Sequence, residues 1–163
     1  MAPMSDSENP FPARILVLDD EEPLLRMLQE ILGMKGFPCE TASTAADALA
    51  LWRQEMSGPS PFRLALVDLT LGDGPGGLEF AREVRVLDRD ALLIACSGDS
   101  TDPAMADPIR NGFDATLTKP FLFGAMLETL ARVLGGGNAN DDSGIGLRPE
   151  PNHAKLFGLG DPQ

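Results

Sequence analysis

The chain has 163 residues, a length that suits one domain with tails; 43% of the residues are hydrophobic and 23% are charged. This composition predicts a packed core and excludes disorder over the whole chain. The longest uninterrupted apolar run, Ala91 to Cys96, is far shorter than the ~20 residues that span a bilayer. Since the net charge is −12, neither nucleic acid nor a membrane surface is expected as a partner.

The two ends of the chain differ in composition from its body. Residues 1–12 hold three prolines and are predicted to be a disordered leader, without the apolar stretch of a signal peptide. Residues 136–163 are rich in Gly, Asn, Asp and Pro and are predicted to be a flexible tail. The two cysteines form no CxxC pattern, which favours a reducing, cytoplasmic setting. Residues 13–135 are therefore predicted to form the folded domain.

The body alternates short apolar runs with amphipathic segments. The first run is continuous, which is typical of a strand buried on both faces. Strands that alternate with helices predict an α/β fold: a doubly wound, five-stranded parallel sheet with helices on both faces. In chain order, the predicted elements are a strand at Ile15–Leu18, a helix at Pro23–Gly33, a strand at Pro38–Ala42, a helix from a Thr44–Asp47 capping box through Trp52, a strand at Phe62–Val67, a helix at Leu78–Leu87, a strand at Ala91–Cys96, a helix at Pro103–Asn111, a strand at Ala115–Thr118 and a helix at Phe123–Leu134.

Polar residues follow four of the five predicted strands. Asp19 and Asp20 come after the first strand, Asp68 after the third, Ser97 after the fourth and Lys119 after the fifth. Each of them alone has an ordinary structural explanation, such as a turn or a helix start. Ligands of such sheets bind at the carboxyl ends of the strands, however, so their shared position predicts a functional site.

The residue types in this set suit phosphoryl transfer. Three carboxylates a few Å apart disfavour one another's ionised form unless a cation is present, and an open site of oxygen ligands favours Mg²⁺. A carboxylate can also attack phosphorus and form an aspartyl phosphate. The Ser97 hydroxyl can donate a hydrogen bond, and the Lys119 ammonium can neutralise phosphoryl oxygens.

Four motifs in this order resemble those of a response-regulator receiver domain. They are LVLDDE at 16–21, LVDL at 66–69, CSG at 96–98 and GFDATLTKPF at 112–121. The match covers about residues 13–135, with the order and spacing of the family. The resemblance implies a flavodoxin-like fold of the receiver type and a stand-alone, CheY-like protein of two-component signalling.

The resemblance also implies a role for each residue of the set. Asp68 would be the phosphoacceptor, and Mg²⁺ would be bound by Asp20 directly, by Asp19 through water, by Asp68 and by the backbone carbonyl of Thr70. By the same resemblance, Ser97 would contact the phosphoryl group and Lys119 would pair with it. The Lys119–Pro120 peptide bond is expected to be cis, which X–Pro bonds accommodate at little cost.

Two features depart from the family pattern. The switch position, where the family usually has Tyr or Phe, is Thr116, and the chain contains no tyrosine. The loop Leu71–Gly77 is one residue longer than usual and rich in glycine, which predicts a mobile segment beside the site. The first departure puts the usual aromatic readout of phosphorylation in doubt.

The predicted function is therefore that of a single-domain response regulator in a phosphorelay. Its partners would be a sensor histidine kinase or a histidine phosphotransfer protein and an unidentified downstream protein, since 28 tail residues cannot form an output domain. Its only catalysis would be Mg²⁺-dependent phosphotransfer to itself and autodephosphorylation. An alternative is an interaction module of the same fold that acts independently of phosphorylation. A phosphatase of the haloacid-dehalogenase type would need a second Asp two residues after Asp19, where the chain has Glu21.

Overall fold

The computed structural model describes residues 13–72 and 76–135, and five strands alternate with five helices within them. The predicted leader at 1–12 and tail at 136–163 lie outside the described residues. No helix of the described part combines the length and the apolar character that crossing a membrane requires. The elements are β1 (Ile15–Leu18), α1 (Glu22–Met34), β2 (Cys39–Ala42), α2 (Ala45–Met56), β3 (Leu64–Asp68), α3 (Gly76–Leu87), β4 (Leu92–Ser97), α4 (Pro103–Ala106), β5 (Ala115–Thr118) and α5 (Phe123–Leu134).

The strands form one parallel sheet in the order β2-β1-β3-β4-β5, which confirms the predicted α/β class. β1 and β3 are buried at every residue, as expected of continuous apolar runs that are covered on both faces. Along the chain, β2 is added on one side of β1, whereas β3, β4 and β5 are added in turn on the other side. The crevice at the carboxyl ends of β1 and β3 is where such sheets bind their ligands.

The chain divides into two compact units, one that ends at Leu93 and one that begins at Ile94. In the first unit, an aromatic cluster joins α2, α3 and the segment before β3. The Trp52 ring stacks on Phe62 at 5.6 Å between centroids and meets the edge of Phe80 at 6.3 Å. All three rings are buried, and the Arg14 guanidinium covers the outer side of Phe62 at 4.6 Å. Such contacts hold α2 and α3 in fixed positions beside the strands.

In the second unit, the end of β4 pairs in parallel with β5, from Ile94 opposite Ala115 to Ser97 opposite Thr118. α5 follows β5 and buries one apolar stripe, as expected of an amphipathic helix that packs on a sheet. The buried residues of this stripe are Met126, Leu127, Leu130 and Val133.

The predicted helix at Pro103–Asn111 was too long, because α4 ends at Ala106. Asp107 precedes Pro108, and the proline ring disfavours the helical conformation of the residue before it. Asp107 accordingly has φ −140° and ψ 77°, and turns follow up to Gly112, whose φ is +90°. Elsewhere the predicted bounds shift by a few residues: α2 continues past Trp52 to Met56, and α3 begins at Gly76 rather than Leu78.

The start of α2 gives a direct test of its capping. The Thr44 hydroxyl oxygen accepts a hydrogen bond from the backbone N–H of Asp47 at 3.1 Å. We expect Thr44→Ala to lower the free energy of unfolding by about 1 kcal/mol, because that N–H loses its acceptor. Thr44→Ser keeps the hydroxyl and should stay near wild type in urea denaturation. Equal stabilities of all three proteins would contradict the capping role.

Candidate functional site

The predicted acidic residues meet at the carboxyl ends of β1 and β3. Leu18 of β1 is opposite Val67 of β3, so the residues that follow these two, Asp19 and Asp68, lie side by side. Asp20 follows directly. One carboxylate oxygen from each of these three residues lies within 4.8 Å of the others. The structure therefore brings together the three acidic residues that the sequence indicated.

The three carboxylates differ in burial and in their backbone donors. Asp19 and Asp68 are only 3% and 2% exposed, whereas Asp20 is exposed. Asp19 Oδ1 accepts the N–H of Glu21 at 2.9 Å, and Asp20 Oδ2 accepts the N–H of Gly72 at 3.2 Å. Gly72 has φ +44°, a left-handed conformation that glycine adopts without strain. The start of the β3–α3 loop is thus tied to the acidic cluster.

Thr70 holds the Asp68 carboxylate in place. Its backbone N–H and its hydroxyl both donate to Asp68 Oδ1, at 3.0 and 2.9 Å. The family resemblance implied a role only for the backbone carbonyl of Thr70, as a metal ligand, and did not indicate the hydroxyl. The spacing Asp-x-Thr was the signal that could have found it, because Asp side chains commonly accept from the residue two positions later.

The donor set fits a magnesium ion. All its side-chain donors are carboxylate oxygens, which are the ligands that Mg²⁺ prefers, and two or three of them suffice because the ion keeps several waters. Exposure of Asp20 leaves one side of the cluster open to solvent, as an ion that retains water requires.

In the second unit, Ser97 and Lys119 lie at the carboxyl ends of the neighbouring strands β4 and β5. The backbone N–H of Lys119 donates to the Ser97 carbonyl at 2.9 Å. The Ser97 side chain is fully buried, and its hydroxyl oxygen accepts the N–H of Asp99 at 3.0 Å. The Lys119–Pro120 peptide bond is cis, the isomer expected from the sequence.

The turn after Ser97 repeats the arrangement seen after Asp68. Asp99 Oδ1 accepts hydrogen bonds from both the hydroxyl and the backbone N–H of Thr101. Both hydrogen bonds lower the pKa of Asp99 below its usual value, and the bond from the Thr101 hydroxyl has the larger effect. Asp99 is exposed and was not among the predicted site residues.

The proposed switch position lies on β5. Thr116 is opposite Ala95 in the sheet register and is half-buried, while the nearest preceding aromatic residue, Phe113, is fully buried. A threonine side chain at this position has far less surface than the aromatic ring that the family usually has there.

Comparison with known proteins identifies the family. The model of the response regulator receiver domain matches residues 15–131, which include every element from β1 to most of α5. The chain therefore belongs to the response-regulator receiver family.

Individual relatives agree with this assignment. The chain is 31% identical over 106 residues to the photosynthetic apparatus regulatory protein RegA of Rhodovulum sulfidophilum, in a match that covers 65% of this chain and 55% of RegA. It thus spans about half the length of that regulator. It is 27% identical over 121 residues to the chemotaxis protein CheY of Bacillus subtilis, in a match that covers 74% of this chain and 97% of CheY.

A solved structure with a similar fold is the response regulator TrrA of Thermotoga maritima, in complex with Mg²⁺ and BeF. The two structures superpose with a TM-score of 0.62 at 27% sequence identity, over 74% of this chain and 98% of TrrA. The likeness therefore extends over the whole receiver domain of this chain.

Magnesium should stabilise the fold if the three carboxylates bind it together. At a Mg²⁺ concentration ten times its Kd, binding adds about 1.4 kcal/mol to the free energy of unfolding, which raises the Tm by a few degrees. Asp20→Asn should raise the Tm in metal-free buffer, because it removes one repelling charge, and should reduce the Mg²⁺-induced rise.

Thermal melts with and without Mg²⁺ test this expectation. KCl is added to the Mg²⁺-free sample so that the ionic strength, and with it the screening of charges, is the same in both. Asp90→Asn is the matched control, because it removes an exposed carboxylate from the turn before β4. It should leave the Mg²⁺-induced rise unchanged. A wild-type Tm that does not respond to Mg²⁺ would contradict a metal site at the acidic cluster.

Proposed function

We propose that the protein is a single-domain response regulator that accepts a phosphoryl group on Asp68. One observation carries this proposal: the oxygens of Asp19, Asp20 and Asp68 lie within 4.8 Å of one another at the carboxyl ends of two adjacent buried strands. Membership in the receiver family supports the same role. The donor would be a phosphohistidine of a sensor histidine kinase or of a histidine phosphotransfer protein.

In the proposed reaction, a carboxylate oxygen of Asp68 forms a bond to phosphorus while the P–N bond to the donor imidazole breaks. The imidazole leaves with the electron pair of that bond, and the product is an aspartyl phosphate. The Thr70 hydroxyl and N–H fix one oxygen of the Asp68 carboxylate, so that the carboxyl group keeps one orientation. Holding the nucleophile in one orientation is a large part of phosphoryl-transfer catalysis.

We assign the metal to Asp20, Asp68 and the backbone carbonyl of Thr70, with Asp19 acting through water. A bound Mg²⁺ would supply positive charge for the phosphoryl oxygens. Without it, the approach of an anionic phosphoryl group to three carboxylates is electrostatically unfavourable. The complex of TrrA with Mg²⁺ and BeF supports a metal ion of this kind.

The remaining roles rest on the family's motif positions. We assign the Ser97 hydroxyl to a hydrogen bond with the phosphoryl group and the Lys119 ammonium to an ion pair with it. A hydroxyl can exchange its partners by rotation, and an ammonium on a flexible stem can follow the charge as it moves.

We further propose that the protein works as a stand-alone regulator in the cytoplasm. The match over 97% of Bacillus subtilis CheY supports a receiver that acts without an attached output domain. Output would then be a contact with a downstream protein or onward transfer of the phosphoryl group, and slow hydrolysis would reset the site. The alternative is an interaction module of the same fold that works without phosphorylation, and the experiments below separate the two.

Asp68 is expected to be the acceptor. Incubation with acetyl phosphate and Mg²⁺ should add one phosphoryl mass to wild type, whereas Asp68→Asn should gain none because an amide is not a comparable nucleophile. Intact-protein mass spectrometry measures both, and circular dichroism checks that the variant is folded.

Asp90→Asn, which changes an exposed carboxylate in a turn, should be modified like wild type. Chelation of Mg²⁺ should abolish the modification in every sample. A phosphoryl group on folded Asp68→Asn would refute the assignment of the acceptor. No modification of wild type would favour the phosphorylation-independent module.

Phosphorylation is expected to change α4, β5 and α5 only weakly, because Thr116 offers little differential packing. An aromatic ring at this position buries about 150–250 Å², and a ligand shifts a two-state equilibrium only by its differential affinity for the two states. We predict small amide chemical-shift changes over residues 104–130 when wild type binds Mg²⁺ and BeF₃⁻. Thr116→Tyr should give larger changes, and Thr116→Ser should resemble wild type. Equal changes in wild type and Thr116→Tyr would show that Thr116 does not limit the response.

A further inference from the structure

The first turn of α3 packs against the backbone of Asp68 at Gly77. A Cβ atom built on Gly77 would lie 2.1 Å from the Asp68 carbonyl oxygen, 2.9 Å from the Asp68 carbonyl carbon and 3.1 Å from the Leu69 Cα. All three atoms belong to the main chain, so no side-chain rotation can make room. The absence of a side chain at Gly77 is therefore a condition for the observed position of α3 against the Asp68–Leu69 peptide.

The reason for glycine at this position is contact, not conformation. Gly77 lies within α3 and is not among the glycines with positive φ, so alanine could adopt its backbone angles. The neighbouring Gly76 differs. The three atoms nearest to a Cβ there all belong to side chains: two of Leu71 at 3.2 and 3.6 Å, and Ala45 Cβ at 3.4 Å. At Gly76 a Cβ atom would require only a shift of a few tenths of an ångström in the flexible end of Leu71, whereas at Gly77 it would meet main-chain atoms that cannot rotate away.

The contact bears on the carboxylate because it lies against the backbone segment that runs from Asp68 through Leu69 to Thr70. Asp68 is the last residue of β3, and its carboxylate is held by the N–H and hydroxyl of Thr70, two residues further on. The Gly77 backbone lies against the carbonyl of the same Asp68. A methyl group at Gly77 would have to separate the two backbones by 0.9 Å to restore the 3.0 Å limit of real Cβ contacts. Any part of that displacement that β3 takes up would move the backbone segment that carries both the nucleophile, Asp68, and its hydrogen-bond donor, Thr70.

We infer that Gly77 is a positioning residue for the phosphoacceptor: its bare backbone lets α3 set the position of the Asp68 carboxyl group. This inference rests on the proposed function, since it concerns the rate at which Asp68 accepts the phosphoryl group. A displacement of about 1 Å can slow a reaction of positioned groups by about 100-fold. We therefore expect Gly77→Ala to slow phosphoryl acceptance about 100-fold per folded molecule.

The experiment measures the initial rate of modification by acetyl phosphate and Mg²⁺, divided by the folded fraction from circular dichroism. Gly76→Ala is the matched control, because it adds the same methyl group one residue earlier in the same helix. It should keep the wild-type rate. A Gly77→Ala rate within a few-fold of wild type would overturn the inference.

A second variant separates positioning from loss of stability. Gly33 lies on the exposed face of α1, where an added Cβ atom would have nothing within 4 Å, so Gly33→Ala should stabilise the fold through helix propensity. In the double variant Gly33→Ala/Gly77→Ala, the Tm should rise above that of Gly77→Ala while phosphoryl acceptance stays slow. Recovery of the rate together with the Tm would overturn the inference and leave Gly77 with a structural role only. If wild type and Gly76→Ala are not modified at all, the proposed function itself fails, and the inference falls with it.

Discussion

Mutual repulsion of three carboxylates is the constraint on which the site depends. Asp19, Asp20 and Asp68 present oxygens within 4.8 Å of one another, and two of the three side chains are almost fully buried. Two like charges at about 4 Å repel by about 4 kcal/mol at an effective dielectric constant near 20. Such repulsion opposes the clustering of the three side chains. Local features that oppose stability are expected at functional sites, and a divalent cation removes the conflict.

The surrounding structure keeps the carboxylates in place against this repulsion. β1 and β3 are buried along their whole length and paired in register, so neither strand end can move apart without exposing apolar surface. The backbone N–H groups of Glu21, Thr70 and Gly72 each donate to one of the three carboxylates. The backbone of α3 also packs against the carbonyl group of Asp68, at Gly77. These contacts hold the three carboxylates in one arrangement, as phosphoryl transfer by positioning requires.

Much of this architecture could be predicted from the sequence, because its signals are local. Continuous apolar runs that end in acids mark β1 and β3, and the predicted bounds of β1, β5 and α5 agree with the structure. The resulting parallel sheet then brings Asp19, Asp20 and Asp68 to one place. The end of α4 was also accessible in principle, since Pro108 restricts Asp107, but Gly112, a residue type common after helix ends, predicted a longer helix.

Other features had no local signal. The contact of Gly77 with the Asp68 carbonyl depends on how closely α3 approaches β3, which a glycine in the sequence does not reveal. α2 continues to Met56 because no helix-breaking residue precedes Ser57 and Gly58, whereas the apolar pattern fades after Trp52. The hydroxyl of Thr70, by contrast, had a local signal in the Asp-x-Thr spacing, but the family's metal ligand at this position is a backbone atom, which drew attention away from the side chain.

The central claim is that phosphorus becomes bonded to a carboxyl oxygen of Asp68, and trapping the acyl phosphate tests it most directly. Borohydride reduces an acyl phosphate to the alcohol, which converts the modified aspartate to homoserine at its place in the chain. After incubation of wild type with acetyl phosphate and Mg²⁺ followed by borohydride, peptide sequencing by mass spectrometry should find homoserine at position 68 alone. Homoserine at position 19 or 20, or at no position, would contradict the account.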